Sequence, residues 1–146
     1  MANRIHSKGP SQHEEYVAGA AGIYPGYLIL LNSANQVVNH NVEGGIAEAL
    51  FAEEDALQGN TVSTVYTSGT IVSCILPGKG SVVNAIIEAG QAIGIGDKLM
   101  SRGNGKLVEY RDMDSGGAKN DEYIVGIAID AVPVNTADVL AQVRIL

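Results

Sequence analysis

The groups in this 146-residue chain that could do chemistry are one cysteine, three histidines, sixteen carboxylates and nine lysines and arginines. Cys74 lies in Ile71-Val72-Ser73-Cys74-Ile75-Leu76. A thiolate nucleophile needs a basic neighbour to lower its pKa, and none is adjacent, so Cys74 reads as a small buried thiol with no disulfide partner. His6, His13 and His40 lack zinc-ligand spacing. Asp112-Met113-Asp114-Ser115-Gly116-Gly117 opens like a calcium loop, but its fifth position is Gly116 and its twelfth is Tyr123 rather than a bidentate Glu. Gly94-Ile95-Gly96 begins a dinucleotide fingerprint and then places Leu99 at the third glycine. Pro77-Gly78-Lys79-Gly80-Ser81 has Ser73 where a phosphate-cradling loop needs its first glycine, and no Gly-x-Ser-x-Gly elbow occurs. No pair of carboxylates is singled out for acid–base work. The expectation is a protein without catalytic, metal or cofactor residues, and not an enzyme.

The basic residues do cluster. Lys98, Arg102, Lys106 and Arg111 hold four of the nine positive charges within one hairpin region. Two readings stand: a solvated hairpin face, or a contact with an acidic protein surface that charge complementarity would steer. The net charge of −7 argues against sequence-independent nucleic-acid binding and against a polybasic membrane contact. Arg4 and Lys8 are followed by no apolar stretch, so no signal peptide is read. The longest aliphatic run, Leu28-Ile29-Leu30-Leu31, is far too short for a membrane span. A soluble protein made in a cytosol is expected.

What must position such groups is a β framework. Hydrophobic residues make up 46% and charged residues only 17%, with 18 glycines, which suits a turn-rich body with surface covered by a partner. Residues 1–15 hold one aliphatic residue after the initiator, Ile5, and read as an extended or mobile arm: either a frayed terminus or a segment that orders on a partner. Residues 16–146 read as one β-rich domain. Tyr27–Leu31 and Gln36–His40 form a hairpin about Asn32-Ser33-Ala34-Asn35, and Thr70–Leu76 is a strand ending at Pro77-Gly78. Tyr123, Val125, Ile127 and Ile129 share one face of a strand, with Gly126 and Ala128 opposite. Val139–Leu146 turns Ala141, Val143 and Ile145 inward. Ile46–Leu57 fits either a helix before Gly59 or a strand before an acidic turn, and Ser81–Ala89 fits a helical stripe or a bent strand.

The chain also echoes itself. Ile23-x-x-Gly26, Leu30 and Gln36-Val37-Val38 recur as Ile93-x-x-Gly96, Met100 and Lys106-Leu107-Val108, and Ala18-Gly19 as Ala89-Gly90. Two similar hairpins within one compact β domain account for this, as does chance likeness between hairpins.

The order of Ala49-Leu50-Phe51-Ala52-Glu53-Glu54, the strand into Pro77-Gly78, Ala89-Gly90-Gln91-x-Ile93-x-x-Gly96-Asp97-x-Leu99, Gly103-Asn104-Gly105-Lys106-Leu107 and the closing strands resembles tailed-bacteriophage capsid decoration proteins. The resemblance covers Ala18 to Leu146 and departs at Lys79, where an acid is expected after Pro-Gly. It implies a mainly-β, tulip-like domain of short strands with at most one or two short helices, like the lambda-type head decoration proteins. It further implies a homotrimer on the outer surface of a virion, bound between major capsid subunits and stabilising the expanded head, without enzyme activity or cofactor. In that picture Arg4, Ile5, His6, Lys8 and Pro10 would anchor to the capsid by strand addition or groove binding, with Lys98, Arg102 and Lys106 as further contacts. Deleting residues 2–15 would then leave a folded body that binds heads poorly. Two other readings are a small β-clip-type ligand-binding or enzyme-accessory domain, with a pocket of convergent polar groups, and a receptor-binding or fibre-like adhesin.

Overall fold

The computed structural model describes residues 4–111, 123–134 and 136–146. The calcium-like segment Asp112–Gly117 lies outside them. Polar turns at Asn32–Asn35 and Arg102–Gly105 fold the chain back in the same way, with matching backbone bonds from Asn32 N–H to the Gln36 carbonyl (2.8 Å) and from Arg102 N–H to the Lys106 carbonyl (2.9 Å). Both need a left-handed residue at the end. Asn35 (φ 60°) supplies it in the first and Gly105 (φ 83°) in the second.

Among the described residues eleven short strands result: β1 (His6–Lys8), β2 (Ser11–Ala18), β3 (Ile29–Leu31), β4 (Gln36–Asn39), β5 (Phe51–Ala52), β6 (Ile71–Pro77), β7 (Val82–Ile87), β8 (Lys98–Ser101), β9 (Leu107–Glu109), β10 (Gly126–Ala128) and β11 (Val139–Ile145). The one helical element among the described residues is a 3-10 turn, Ala56–Gln58, capped by Asp55 and ended by Gly59. The protein is therefore mainly β. Ile46–Leu57 resolves as the strand followed by an acidic turn, because Phe51 and Ala52 pair with Ile75 and Cys74. Ser81–Ala89 resolves as a strand, because β11 pairs with β7 along its whole length.

The strands close into two small barrels of one design. In the first, the order is β3-β4-β2-β6-β5, and the ring shuts through the antiparallel bridge Leu28↔Phe51. In the second, the order is β8-β9-β7-β11-β10, and the ring shuts where Gly126 and Ile127 pair with Leu99 and Lys98. Replacing β2–β6 by β7–β11 in turn converts one order into the other. The register agrees residue by residue. Leu30↔Val38 in the first hairpin matches Met100↔Val108 in the second. Val17↔Ile71 likewise matches Ile86↔Leu140. Gly26 N–H to the Ala52 carbonyl matches Gly96 N–H to the Ala128 carbonyl, each 2.8 Å.

The sequence echo is thus a repeat of the whole five-strand unit, not of hairpins alone. One equivalence needs correcting. Gly19 N–H and Glu88 N–H make the matching bonds to Val37 and Leu107, so the counterparts of Ala18-Gly19 are Ile87-Glu88 rather than Ala89-Gly90.

Both interiors are apolar. Ala18, Ile29, Val37, Val72 and Cys74 fill the first, and their counterparts Ile87, Leu99, Leu107, Ala141 and Val143 fill the second. Ala18 beside Val72 becomes Ile87 beside Ala141, so volume moves between neighbouring strands while the total is roughly kept. On β10 the face turned inward carries the small Ala128, because a five-strand ring leaves little room. The second core is continuous with Leu28, Phe51 and Ile75 of the first barrel, which welds the two together. Among the described residues no helix is long and apolar enough to cross a membrane.

Candidate interaction surfaces

Residues 4–15 are extended, but they are not held away from the body. The Ile5 side chain is fully buried in the shared core. Its N–H donates to Glu54 Oε2 (3.0 Å), and its carbonyl accepts from Asn84 N–H (2.7 Å). Asn84 Nδ2 also donates to the Arg4 carbonyl (2.8 Å), and Arg4 Nε lies 3.8 Å from Glu54 Oε1. β1 then pairs antiparallel with β7, and β2 pairs with β6 from Ser11 to Val17. Between them the Pro10 carbonyl accepts from Gly78 N–H (2.9 Å) and from Ser81 Oγ–H (2.6 Å).

This corrects the expectation of a detachable arm. The physical reason is that β2 supplies a full strand of the first barrel while Ile5 supplies a core side chain. Deleting residues 2–15 therefore removes structure from both barrels. Of the five residues expected to anchor there, Arg4, Lys8 and Pro10 are exposed, His6 is half-buried with its Nε2–H on the Gly9 carbonyl, and Ile5 is out of reach of any partner.

The basic cluster is met largely from within. Arg102 NH1 lies 2.9 Å from Glu43 Oε2, and its Nε lies 2.8 Å from Glu88 Oε2. Arg111 pairs with the other Glu43 oxygen, and Lys106 Nζ lies 2.9 Å from Asp138 Oδ2. The hydrogen bond that Arg102 donates to Glu88 and the charge of Glu43 raise the Arg102 pKa, and the hydrogen bond that Lys106 donates to Asp138 raises that of Lys106. Burial opposes ionisation of Asp138, yet the Lys106 ammonium and the Ala89 N–H outweigh it and hold the carboxyl below its usual range. Lys98 is exposed and has no ion pair among the described residues. Three of the four cations thus tie loops together and offer an acidic partner less charge than their number suggests. No sequence signal links Lys106 to Asp138, which stand far apart along the chain.

His40 was missed as a structural residue. It is 2% exposed, donates from Nε2 to the Ile46 carbonyl (3.1 Å) and accepts at Nδ1 from the Ser101 hydroxyl (2.6 Å), joining the first barrel to β8. Cys74 is fully buried, and burial pushes its thiol up to about 12, which makes it a poor nucleophile.

A cleft of about 730 Å³ runs between the barrels. Tyr24, Pro25 and Tyr27 line one side, and Ile86, Val139 and Leu140 the other, with Asp138 at its margin. The Asp138 carboxylate at its margin is already engaged by Lys106 and by Ala89 N–H.

No protein-family model matches the chain, and no curated protein matches it. Among solved structures it superposes on the head fiber gp8.5 N base of bacteriophage phi29, with a TM-score of 0.57 at 13% identity, over 94% of this chain and 95% of that one. The likeness is one of fold, it spans both barrels, and the neighbour is a head-fibre base rather than a lambda-type decoration protein.

Proposed function

We propose that this protein is a structural component of a bacteriophage virion, without catalytic activity, that seats on the outer surface of the head. The observation that carries the reading is the near full-length agreement in fold with a phage head protein. The sequence resemblance to head decoration proteins points to the same class independently of that superposition. An acidic net charge of −7 suits the outside of a head better than its DNA-lined interior.

In the finer form of the proposal, the protein binds between major capsid subunits as a homotrimer and stabilises the expanded, DNA-filled shell. Physically, any ligand that binds only the expanded state stabilises it by an amount set by concentration over dissociation constant. Three identical bodies on one trimer gain further through effective concentration. A second reading, the base of a head-attached fibre, is favoured by the identity of the structural neighbour.

Co-sedimentation of the purified protein with expanded heads lacking it tests the proposal. Saturable binding at a fixed number per capsomer is expected. No binding at high protein concentration would overturn it. Electron microscopy of the saturated heads separates the two readings by whether the bound mass ends at the two-barrel body.

A further inference from the structure

The two barrels differ at one edge, and that edge is built to take a strand. In the second barrel, β11 covers one edge of β7. The other edge is divided between β9, at Ile87, and the chain's own β1, at Val82 and Val83. In the first barrel the counterpart strand β2 is covered by β6 on one edge. On the other it meets β4 only at Val17 and Ala18, and no described residue pairs with it from Ser11 to Tyr16.

The direction of the backbone groups follows from strand alternation. Ala18 exchanges bonds with Thr70 and Gly69 on the β6 side, while Gly19 N–H turns to Val37. Even-numbered residues of β2 therefore face β6, and Ser11, His13 and Glu15 direct their N–H and C=O groups away from it, to the edge that no described residue pairs. Glu15 is the counterpart of Asn84, whose N–H holds the Ile5 carbonyl in the second barrel.

We propose that this edge binds an extended, basic segment of a partner protein, added antiparallel to β2 as β1 is added to β7. The side chains choose the occupant. In β7 the positions facing the barrel interior are the apolar Val83 and Ala85, but their counterparts in β2 are Glu14 and Tyr16, half-buried, with the Tyr16 hydroxyl donating to the Glu14 carboxylate. An apolar side chain laid there would strip water from a carboxylate and return nothing. A lysine or arginine lays its stem on the Tyr16 ring and its charge on Glu14. On the outer face, exposed His13 and Glu15 border a groove with Glu53, so basic residues are suited there as well.

A second copy of the chain is disfavoured at this place. Pairing two β2 edges would set Glu14 and Glu15 of both copies together, and like charges across a ladder destabilise it. The acids thus exclude self-pairing, a hazard of any open edge, while admitting a strand of opposite charge. The inference does not rest on the virion role, and its test needs no heads.

The probe is a blocked heptapeptide alternating Lys with Val or Thr, titrated into the full chain and followed by amide chemical shifts. We expect saturable binding that perturbs His13 and Glu15, weakens about tenfold when salt shortens the screening length from ~30 to ~3 Å, and is absent for the same peptide with Glu for Lys. Glu15→Pro places the ring on the open edge without removing a bond to β6, so it should fold and lose binding. Glu14→Gln should fold and bind about tenfold more weakly, the equivalent of a lost charge-assisted bond. Equal binding by a folded Glu15→Pro chain overturns the proposal, as do shifts confined to other strands. Absence of saturable binding to the unaltered chain overturns it too, and self-association through this edge overturns the choice of occupant. If Glu15→Pro does not fold, the shift map of the unaltered chain decides.

Discussion

The first barrel and the second share topology and register yet solve the same three problems with different chemistry. At the open side of the leading strand, the second barrel places Val83, Ala85 and a borrowed strand, and the first places Glu14, Tyr16 and solvent. Where the ring closes, Phe51 is fully buried in the shared core, while its counterpart Ile127, also opposite the closing strand, is half-buried. Beside the hairpin, Lys106 and Asp138 form an ion pair, and the matching positions of the first barrel are Gln36 and Gly69. A repeated backbone design therefore tolerates exchanged side chains where the two units meet different surroundings, and it keeps an apolar interior and a left-handed turn residue in both.

The largest expected effect separates the two ring closures. Phe51→Ala should cost about 4 kcal/mol and Ile127→Ala about 1 kcal/mol in chemical denaturation, because only the first opens a cavity in the core that both barrels share. Equal costs would mean that the barrels are not welded through Phe51.

The next effect compares the two hairpin turns. At Gly105 an added Cβ would sit 2.7 Å from Tyr27 Cδ2, in a left-handed backbone. Gly105→Ala should therefore cost about 2 kcal/mol, the left-handed penalty plus the displaced ring. Asn35→Gly, at the same place in the first barrel, should change stability by no more than about 0.5 kcal/mol, since asparagine already tolerates that conformation.

The smallest effect concerns charge. Asp138 has a folded-state pKa below its unfolded value, so its contribution is fully present above the unfolded value of about 3.9 and is lost as pH falls through the folded one. Asp138→Asn should cost at most about 0.5 kcal/mol at pH 7, because the pair is partly exposed and screened. The difference from the unaltered protein should close in acid, below the titration of Asp138. A difference that persists there would assign the effect to packing instead.

Much of this was legible in the sequence, and the pattern of what was legible is physical. The hairpins were readable because turn chemistry is local: Asn32–Asn35 and Gly103-Asn104-Gly105 announce themselves, and so does the echo between them. The alternation of Ala141, Val143 and Ile145 gave the last strand its correct face. The closing strands β5 and β10 were not readable as equivalents. Phe51 and Ile127 are spaced more widely than the two hairpins are, and strands as short as these carry too little pattern to align.

The N-terminal segment failed for a different reason. Its composition is that of an arm, but one isoleucine and the backbone of β2 suffice to fix it, since backbone pairing is blind to side-chain polarity. The ion pairs of Arg102 and Lys106 could not be read either, because Glu43, Glu88 and Asp138 are brought together only by the closed rings.

The most direct measurement of the account is native-state amide hydrogen exchange on the free protein, read at matched positions of the two leading strands. Asn84 N–H, held by the Ile5 carbonyl, should exchange slowly, within a factor of a few of the core amides of β7. His13 and Glu15 N–H should exchange near the rate of an unprotected chain, while Glu14 and Tyr16, facing β6, are protected. Protection of His13 and Glu15 equal to that of Asn84 would contradict the claim that one barrel fills its edge and the other leaves it open.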